Sequence, residues 1–212
     1  MSKLNELAVA VEGGKAKLVA GLVQECIDEG IDPIEILSKG MTDAMANVGK
    51  KFKNNEIFVP EMLVAARAMK KGVAALQPYL TGGSDIKLGK MVMGTVYGDL
   101  HDIGKNLVIM MVEATGYEVV DLGIDVPAEK FLEAVEDPEV TLVGVSALLT
   151  TTMPAMQDIV KQLNKSPRRS EFKIMVGGAP ITQDFAKEIG ADVYTPDAAS
   201  AGQAAKALAT GA

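Results

Sequence analysis

The chain has very few of the residues that usually build metal and redox sites. Its 212 residues include one cysteine, one histidine and no tryptophan. The single cysteine, Cys26, excludes an intrachain disulfide and a site made of several thiolates. Cys26 lies in helical register with Leu18, Leu22 and Val23, so we interpret it as a buried structural thiol rather than a reactive one.

An excess of basic residues and long apolar runs are also missing. The formal net charge is −7, and acidic and basic residues are interspersed along the predicted helices. Nucleic acids and anionic membranes call for a basic patch, so neither is expected as a partner. No apolar run approaches the length that spans a bilayer, and the N-terminus lacks the apolar core and cleavage site of a signal peptide. We therefore expect a cytoplasmic protein.

The first part of the chain has the apolar spacing of helices. Several stripes recur at helical period up to about residue 80. A turn at residues 30–33 separates two of these helices, with Asp32 as the N-cap of the second and Pro33 in its first turn. Together with a short helix near Leu4–Val11, the pattern predicts a four-helix bundle over residues 1–84.

The second part of the chain, residues 85–212, alternates short apolar runs with helical segments. It follows a polar stretch containing Gly82 and Gly83, which predicts a flexible linker. Strands are predicted at residues 90–96, 118–122, 140–146, 172–176 and 192–195. Such alternation predicts an α/β fold, a Rossmann-like parallel sheet covered on both faces. We choose the flavodoxin-like strand order 2-1-3-4-5, which places a ligand crevice between the first and third strands.

Three unusual segments follow strands of this predicted sheet. Residues 98–104 follow the first strand, residues 146–152 the third, and residues 177–180 the fourth. Ligands of doubly wound sheets bind outside the carboxyl ends of the strands. If the strand order is right, the three segments meet at one crevice, which is then the candidate site.

Each segment has a structural and a functional interpretation. His101 could be a loop residue or a helix cap, but Asp99 could also hold one ring nitrogen while the other nitrogen faces a metal. The Ser/Thr cluster could simply cap a helix that starts near Met153. Gly177 and Gly178 could form a tight turn, or they could let the backbone lie flush against a flat ligand.

The segments also carry a resemblance to a known family. The motifs are Asp99-x-His101-x-x-Gly104, Ser146-x-Leu148 and Gly177-Gly178. In this order and spacing they resemble the fingerprint of the cobalamin-binding domain of cobalamin-dependent methionine synthase, certain mutases and the corrinoid proteins of methyltransferase systems. Residues 58–61 and 66–71 resemble the last helices of the cap domain in the methyl-transferring branch. Essentially the whole chain is similar to a stand-alone corrinoid protein of an anaerobic methyltransferase system.

The resemblance implies a role for each matching residue. His101 would ligate the cobalt of a corrinoid from below, Asp99 would bond the other imidazole nitrogen, and Thr152 would be the third member of this relay, where many relatives carry serine. The slot for the nucleotide tail would be lined by Ser146, Leu148, Thr150, Gly177 and Gly178, with Tyr194 and Thr195 at its outer edge. Further contacts to the cofactor would come from Gly98, Asp102, Ile103 and Gly104, and from Phe58 and Met62 over the upper face, where bundle core is the other interpretation.

The implied function is that of a methyl carrier. Its partners would be a donor-specific methyltransferase, an acceptor-side methyltransferase and a reductive activation protein. The alternative is a cobalamin-binding sensory module, although the bundle has no evident basic recognition helix. A complete mutase or methionine synthase would need a barrel-sized substrate domain, which 212 residues cannot also hold. We therefore expect a subunit that is catalytically incomplete alone, whose methyl donor the sequence does not name.

Overall fold

The computed structural model describes residues 2–79 and 88–210. The chain divides into two compact units, Met1–Lys87 and Leu88–Ala212. The linker predicted at Gly82 and Gly83 lies outside the described residues. Within the described part of the chain, no helix is both long and apolar enough to cross a membrane.

The first unit is helical, as predicted. Its α-helices are α1 (Lys3–Glu12), α2 (Ala16–Asp28), α3 (Pro33–Glu35), α4 (Asp43–Lys53) and α5 (Val59–Leu76). Asp32 caps α3, because its carboxylate accepts the N–H of Ile34 at 2.7 Å, and Pro33 occupies the first turn. A π-helical segment, Ile36–Thr42, connects α3 to α4, so these pieces replace the single regular helix that the apolar stripe predicts.

The second unit contains the predicted parallel sheet. Its strands are β1 (Gly89–Val96), β2 (Tyr117–Val126), β3 (Val140–Ser146), β4 (Lys173–Gly177) and β5 (Val193–Tyr194). Its helices are α6 (Ile103–Glu113), α7 (Ala128–Ala134), α8 (Met153–Leu163), α9 (Gln183–Ile189) and α10 (Ala198–Thr210). All paired strands are parallel, in the order β2-β1-β3-β4-β5. The predicted strand order is therefore confirmed.

Apolar clusters cover both faces of the sheet. Successive residues of a strand point to opposite faces, so Met91 joins one cluster with α6 and α10, while Val92 joins the other with α7, α8 and α9. Phe131 and Met156 are completely buried on the second face. With both faces filled, a large ligand can reach the strands only at their ends.

The edge strand β2 is longer and less regular than predicted. Prediction ends this strand at Leu122, whereas the structure continues it to Val126. Its pairing with β1 shifts register twice, between Met93 and Gly94 and again between Gly94 and Val96. Each shift breaks the alternation of apolar and polar residues. The sequence pattern therefore does not indicate a strand beyond Leu122, although the strand continues to Val126.

Candidate cofactor site

Asp99 is the buried centre of the candidate site. Its Oδ1 is 2.7 Å from His101 Nδ1 and accepts the backbone N–H of His101 at 3.1 Å. Its Oδ2 accepts the backbone N–H of Leu148 at 2.7 Å and lies 2.9 Å from the hydroxyl of Thr152. The side chain of Asp99 has no exposure to solvent, and these four groups are its hydrogen-bond partners within residues 2–79 and 88–210. The loops after β1 and β3 thus meet at one carboxylate, as the predicted strand order requires.

These surroundings keep Asp99 ionised. Burial by itself raises the pKa of this carboxyl, but hydrogen bonds from Leu148, His101 and Thr152 outweigh it and lower the pKa to about 2. An ionised carboxylate only accepts hydrogen bonds, so the proton of a neutral His101 ring resides on Nδ1. Nε2 then presents a lone pair.

The outward side of His101 is open. Its side chain is 50% exposed, and Nε2 has no hydrogen-bond partner within the part of the chain that the structure describes. The loop that carries His101 is held by β1, since the hydroxyl of buried Thr95 donates to the His101 carbonyl at 2.9 Å. An imidazole on a fixed loop, with one nitrogen bonded to a carboxylate and the other exposing its lone pair, is the arrangement of a metal-ligating histidine.

Thr152 serves Asp99 rather than the helix that follows it. It occupies the N-cap position of α8, but its side chain makes no capping hydrogen bond. Its hydroxyl lies 2.9 Å from Asp99 Oδ2 and 2.9 Å from the carbonyl oxygen of Leu149. One hydroxyl proton is shared between two acceptors. The capping interpretation of this cluster is therefore wrong for Thr152.

The glycines of the site differ in what a side chain at each position would meet. A Cβ at Gly178 would stand 1.8 Å from the Ala147 carbonyl oxygen, and one at Gly177 would stand 2.8 Å from the Thr195 carbonyl oxygen. Close approach of neighbouring backbone already demands glycine at both positions. Gly104 differs, because a Cβ there would meet no atom within 4 Å. A side chain at Gly104 would therefore extend into open space.

An apolar rim, made of exposed large apolar side chains, lies in the loops that follow β1 and β3. Its members, the residues with exposed large apolar side chains in these loops, are Tyr97, Leu100, Ile103, Leu148 and Leu149. The loops around the buried carboxylate of Asp99 thus expose apolar surface to water. Gly98, Asp102 and Thr150, also predicted as contacts, lie exposed in the same loops, while Ser146 is half-buried.

Of the other predicted site residues, Tyr194 and Thr195 lie at the end of β5, and Phe58 and Met62 belong to the first unit. Tyr194 is half-buried and packs against the apolar cluster of α7, α8 and α9, and Thr195 is buried. In the first unit, Phe58 is 66% exposed at the start of α5, whereas Met62 is 1% exposed. Met62 thus has the burial of a bundle-core residue, and Phe58 does not.

Comparisons with known proteins agree with this site. Two family models, each described as a B12 binding domain, match residues 89–206 and 3–77. The chain belongs to the B12-binding family. A dimethylamine corrinoid protein of Methanosarcina acetivorans is 42% identical over 205 residues, which is 97% of this chain and 96% of that protein.

Solved structures show the same family relationship. A cobalamin-binding protein from Desulfitobacterium hafniense matches with a TM-score of 0.82 and 30% identity, over 97% of this chain and 98% of that one. The methanol:cobalamin methyltransferase complex of Methanosarcina barkeri matches with a TM-score of 0.80 and 32% identity, over 99% of this chain and 80% of that one. The predicted α/β fold and the predicted corrinoid cofactor are confirmed.

The residues present fit a B12 cofactor better than a free metal ion. Among the described residues, no three His, Cys, Asp or Glu side chains cluster as ligands of an ion. A lone imidazole cannot hold a bare ion, but it can supply one axial ligand to a metal already held by a macrocycle. The apolar rim and the open space at Gly104 suit the broad face of such a ring.

The sequence does not single out the contribution of β2 to the site. Asp125, at the end of this strand, has φ 54 and bonds the loop that carries Asp99. The available signal was Gly123-x-Asp125 before Pro127, since glycine, aspartate and proline mark a departure from regular strand geometry.

Proposed function

We propose that this protein is a corrinoid-carrying methyl shuttle, which accepts a methyl group from a donor-specific methyltransferase and passes it to an acceptor-side methyltransferase. One observation carries the proposal: an imidazole whose Nδ1 is fixed by a buried, ionised carboxylate while its Nε2 has no partner among the described residues. When bound, the corrinoid supplies a cobalt centre that accepts and releases a methyl group.

In this proposal His101 holds cobalt through Nε2. Asp99 keeps the proton on Nδ1 and, as an anion 2.7 Å away, raises the electron density of the ring and so its strength as a ligand. Thr152 and the Leu148 N–H hold the second carboxylate oxygen, so Asp99 cannot rotate away from the ring. The three side chains act as one orienting unit.

For the cofactor's nucleotide tail we propose the slot expected from the sequence. Leu148 and Thr150 are exposed beside Asp99, and Ser146 pairs with Gly177 where β3 and β4 end. The glycine pair contributes by allowing this close approach of backbones. The slot and the lower ligand then share the loop after β3.

The proposed partners are methyltransferases, with a reductive activation protein as a third. A methyl donor such as an amine or alcohol needs an acidic or electrophilic group to help its leaving group depart. The described residues hold no cluster of metal ligands that could serve this purpose. We propose a methylated amine as the donor, because proteins named dimethylamine and trimethylamine corrinoid proteins are 42% and 43% identical to this chain.

The test is to offer candidate donors to the corrinoid-loaded, reduced protein with and without a candidate methylamine methyltransferase. We expect slow or no methylation alone and rapid saturable methylation with the methyltransferase, followed by visible absorbance and by transfer of labelled methyl. The control is the same protein with the methyltransferase but no donor. Rapid saturable methylation by the isolated protein would make it an enzyme in its own right and refute the shuttle.

A further inference from the structure

The irregular end of β2 lies against the loop that carries Asp99. The backbone N–H of Asp125 donates to the carbonyl of Asp99 at 3.0 Å. The carboxylate of Asp125 in turn accepts the N–H of Gly98 at 2.7 Å. One residue of β2 therefore binds two consecutive residues of the loop, once as a donor and once as an acceptor.

The backbone of Asp125 is unusual. Asp125 and Asn55 are the two non-glycine residues with positive φ in the described part of the chain, at 54° and 58°. The left-handed region is costly for side-chain-bearing residues, and aspartate and asparagine tolerate it better than most. Such a conformation persists only where the surroundings enforce it, and here its effect is to turn both polar groups of Asp125 toward the loop.

The preceding bulge holds Asp125 in place. At the first register shift, Asp121 accepts the N–H of Gly123 at 2.8 Å. Both oxygens of Asp121 also bind the Lys105 ammonium at 2.7 Å, and Lys105 is 2% exposed. A buried cation from α6 thus anchors the bulge, and the bulge redirects the strand toward the loop.

We propose that Asp125 is a positioning residue for the Asp99–His101 pair, holding their loop from the β2 side so that the imidazole keeps the tautomer and orientation that ligate cobalt. The side chain of Asp99 is fixed from the β3 side, by Leu148 and Thr152, and its backbone is fixed from the β2 side, by Asp125. The proposal rests on the proposed role of His101 as the ligand. It adds that the ligand is prepared by both neighbours of β1.

The informative variant is Asp125→Gly. Glycine keeps the N–H that binds Asp99 and accepts the left-handed backbone without strain, so the variant loses the carboxylate alone. Asp125→Asn is its counterpart, because it keeps an acceptor oxygen and tolerates the same backbone. Asn55→Gly is the matched control, since it releases the other left-handed residue in the other unit.

The measurement uses the solitary histidine as its own probe. In the cofactor-free protein, ¹⁵N chemical shifts of the imidazole at a pH where it is neutral report the ratio of the Nδ1–H to the Nε2–H tautomer. We expect Asp125→Gly to lower this ratio about fivefold, the change that corresponds to a net hydrogen bond of about 1 kcal/mol. Asp125→Asn and Asn55→Gly should stay near wild type. In loaded protein, Asp125→Gly should also reduce the fraction of cobalt with an axial nitrogen in electron paramagnetic resonance.

Three outcomes would overturn the proposal. An unchanged tautomer ratio in Asp125→Gly would mean that the loop needs no support from β2. Equal losses in the glycine and asparagine variants would assign the effect to charge, and an equal loss in Asn55→Gly would make it unspecific. The assignment of His101 as the ligand is tested separately, with His101→Ala. Its failure would not change the comparison of tautomer ratios among the Asp125 variants.

Discussion

Asp99 and His101 are neighbours in sequence, yet most of the groups that fix them come from other parts of the chain. Leu148 and Thr152 reach Asp99 from the loop after β3, and Asp125 reaches its backbone from β2. The sequence allowed Asp99, His101 and Thr152 to be predicted as one group, and the structure brings them together. The sequence did not reveal Asp125 as part of this group. Asp125 binds backbone atoms of Gly98 and Asp99, and such a contact does not depend on the side chains of the loop.

The pKa of Asp99 predicts a pH-dependent contribution to stability. Its folded-state pKa, about 2, lies below the ordinary 3.8, so ionised Asp99 stabilises the fold above 3.8, and this contribution disappears as pH falls toward 2. In Asp99→Asn the amide nitrogen would replace one carboxylate oxygen and meet a backbone N–H donor, that of Leu148 or that of His101. We expect a loss of about 1–3 kcal/mol in the unfolding free energy at neutral pH. Denaturant titrations of the cofactor-free proteins should show the two curves converging through that acidic window, and a difference independent of pH would contradict this account.

At the scale of elements, prediction succeeded where a strand is a short buried apolar run between clear stops. The predicted β3, residues 140–146, matches the observed bounds, and the helix predicted to start near Met153 begins at that residue as α8. It failed where packing overrides periodicity. The end of β2 follows its bulges rather than alternation, and the Ile36–Thr42 segment becomes π-helical where Gly40 lies so close to Leu7 that a Cβ would stand 2.9 Å from its side chain.

The glycines at the ends of elements give an element-scale prediction. Gly178→Ala would place a Cβ 1.8 Å from the Ala147 carbonyl oxygen, at φ 135°, so we expect the cofactor-free protein to lose at least about 2 kcal/mol of stability. Gly104→Ala meets open space in the first turn of α6 and should gain up to about 1 kcal/mol. Thermal unfolding by circular dichroism measures both.

The variants Gly178→Ala and Gly104→Ala also distinguish a role in packing from a role in cofactor binding. If Gly104 is open because a corrinoid lies over it, Gly104→Ala should bind the cofactor more weakly while remaining at least as stable as wild type. Full cofactor affinity in Gly104→Ala would show that this open space is not part of the binding surface. Wild-type stability in Gly178→Ala would show that the backbones can separate, and would return the glycine pair to a role in ligand contact.

At the scale of the whole molecule, both units belong to the B12-binding family, which matches residues 3–77 and 89–206. The family was predictable because its motifs are short, ordered and attached to strand ends that the apolar pattern locates. The methyl donor was not, because the described residues hold no cluster of three or more His, Cys, Asp or Glu side chains that would indicate how a donor is activated. In the proposed function, specificity for the donor would belong to the methyltransferase partner.

The central claim is that His101, through Nε2, is the lower ligand of the cofactor's cobalt. Because it is the only histidine, labelling with ¹⁵N-histidine marks one imidazole in the protein. Electron paramagnetic resonance of the loaded protein in its paramagnetic cobalt state should show axial-nitrogen splitting as a triplet in unlabelled protein and a doublet in labelled protein, and His101→Ala should lose it. A triplet that persists in labelled protein, or splitting that survives in His101→Ala, would mean that the cofactor's own base ligates the cobalt and would contradict the account.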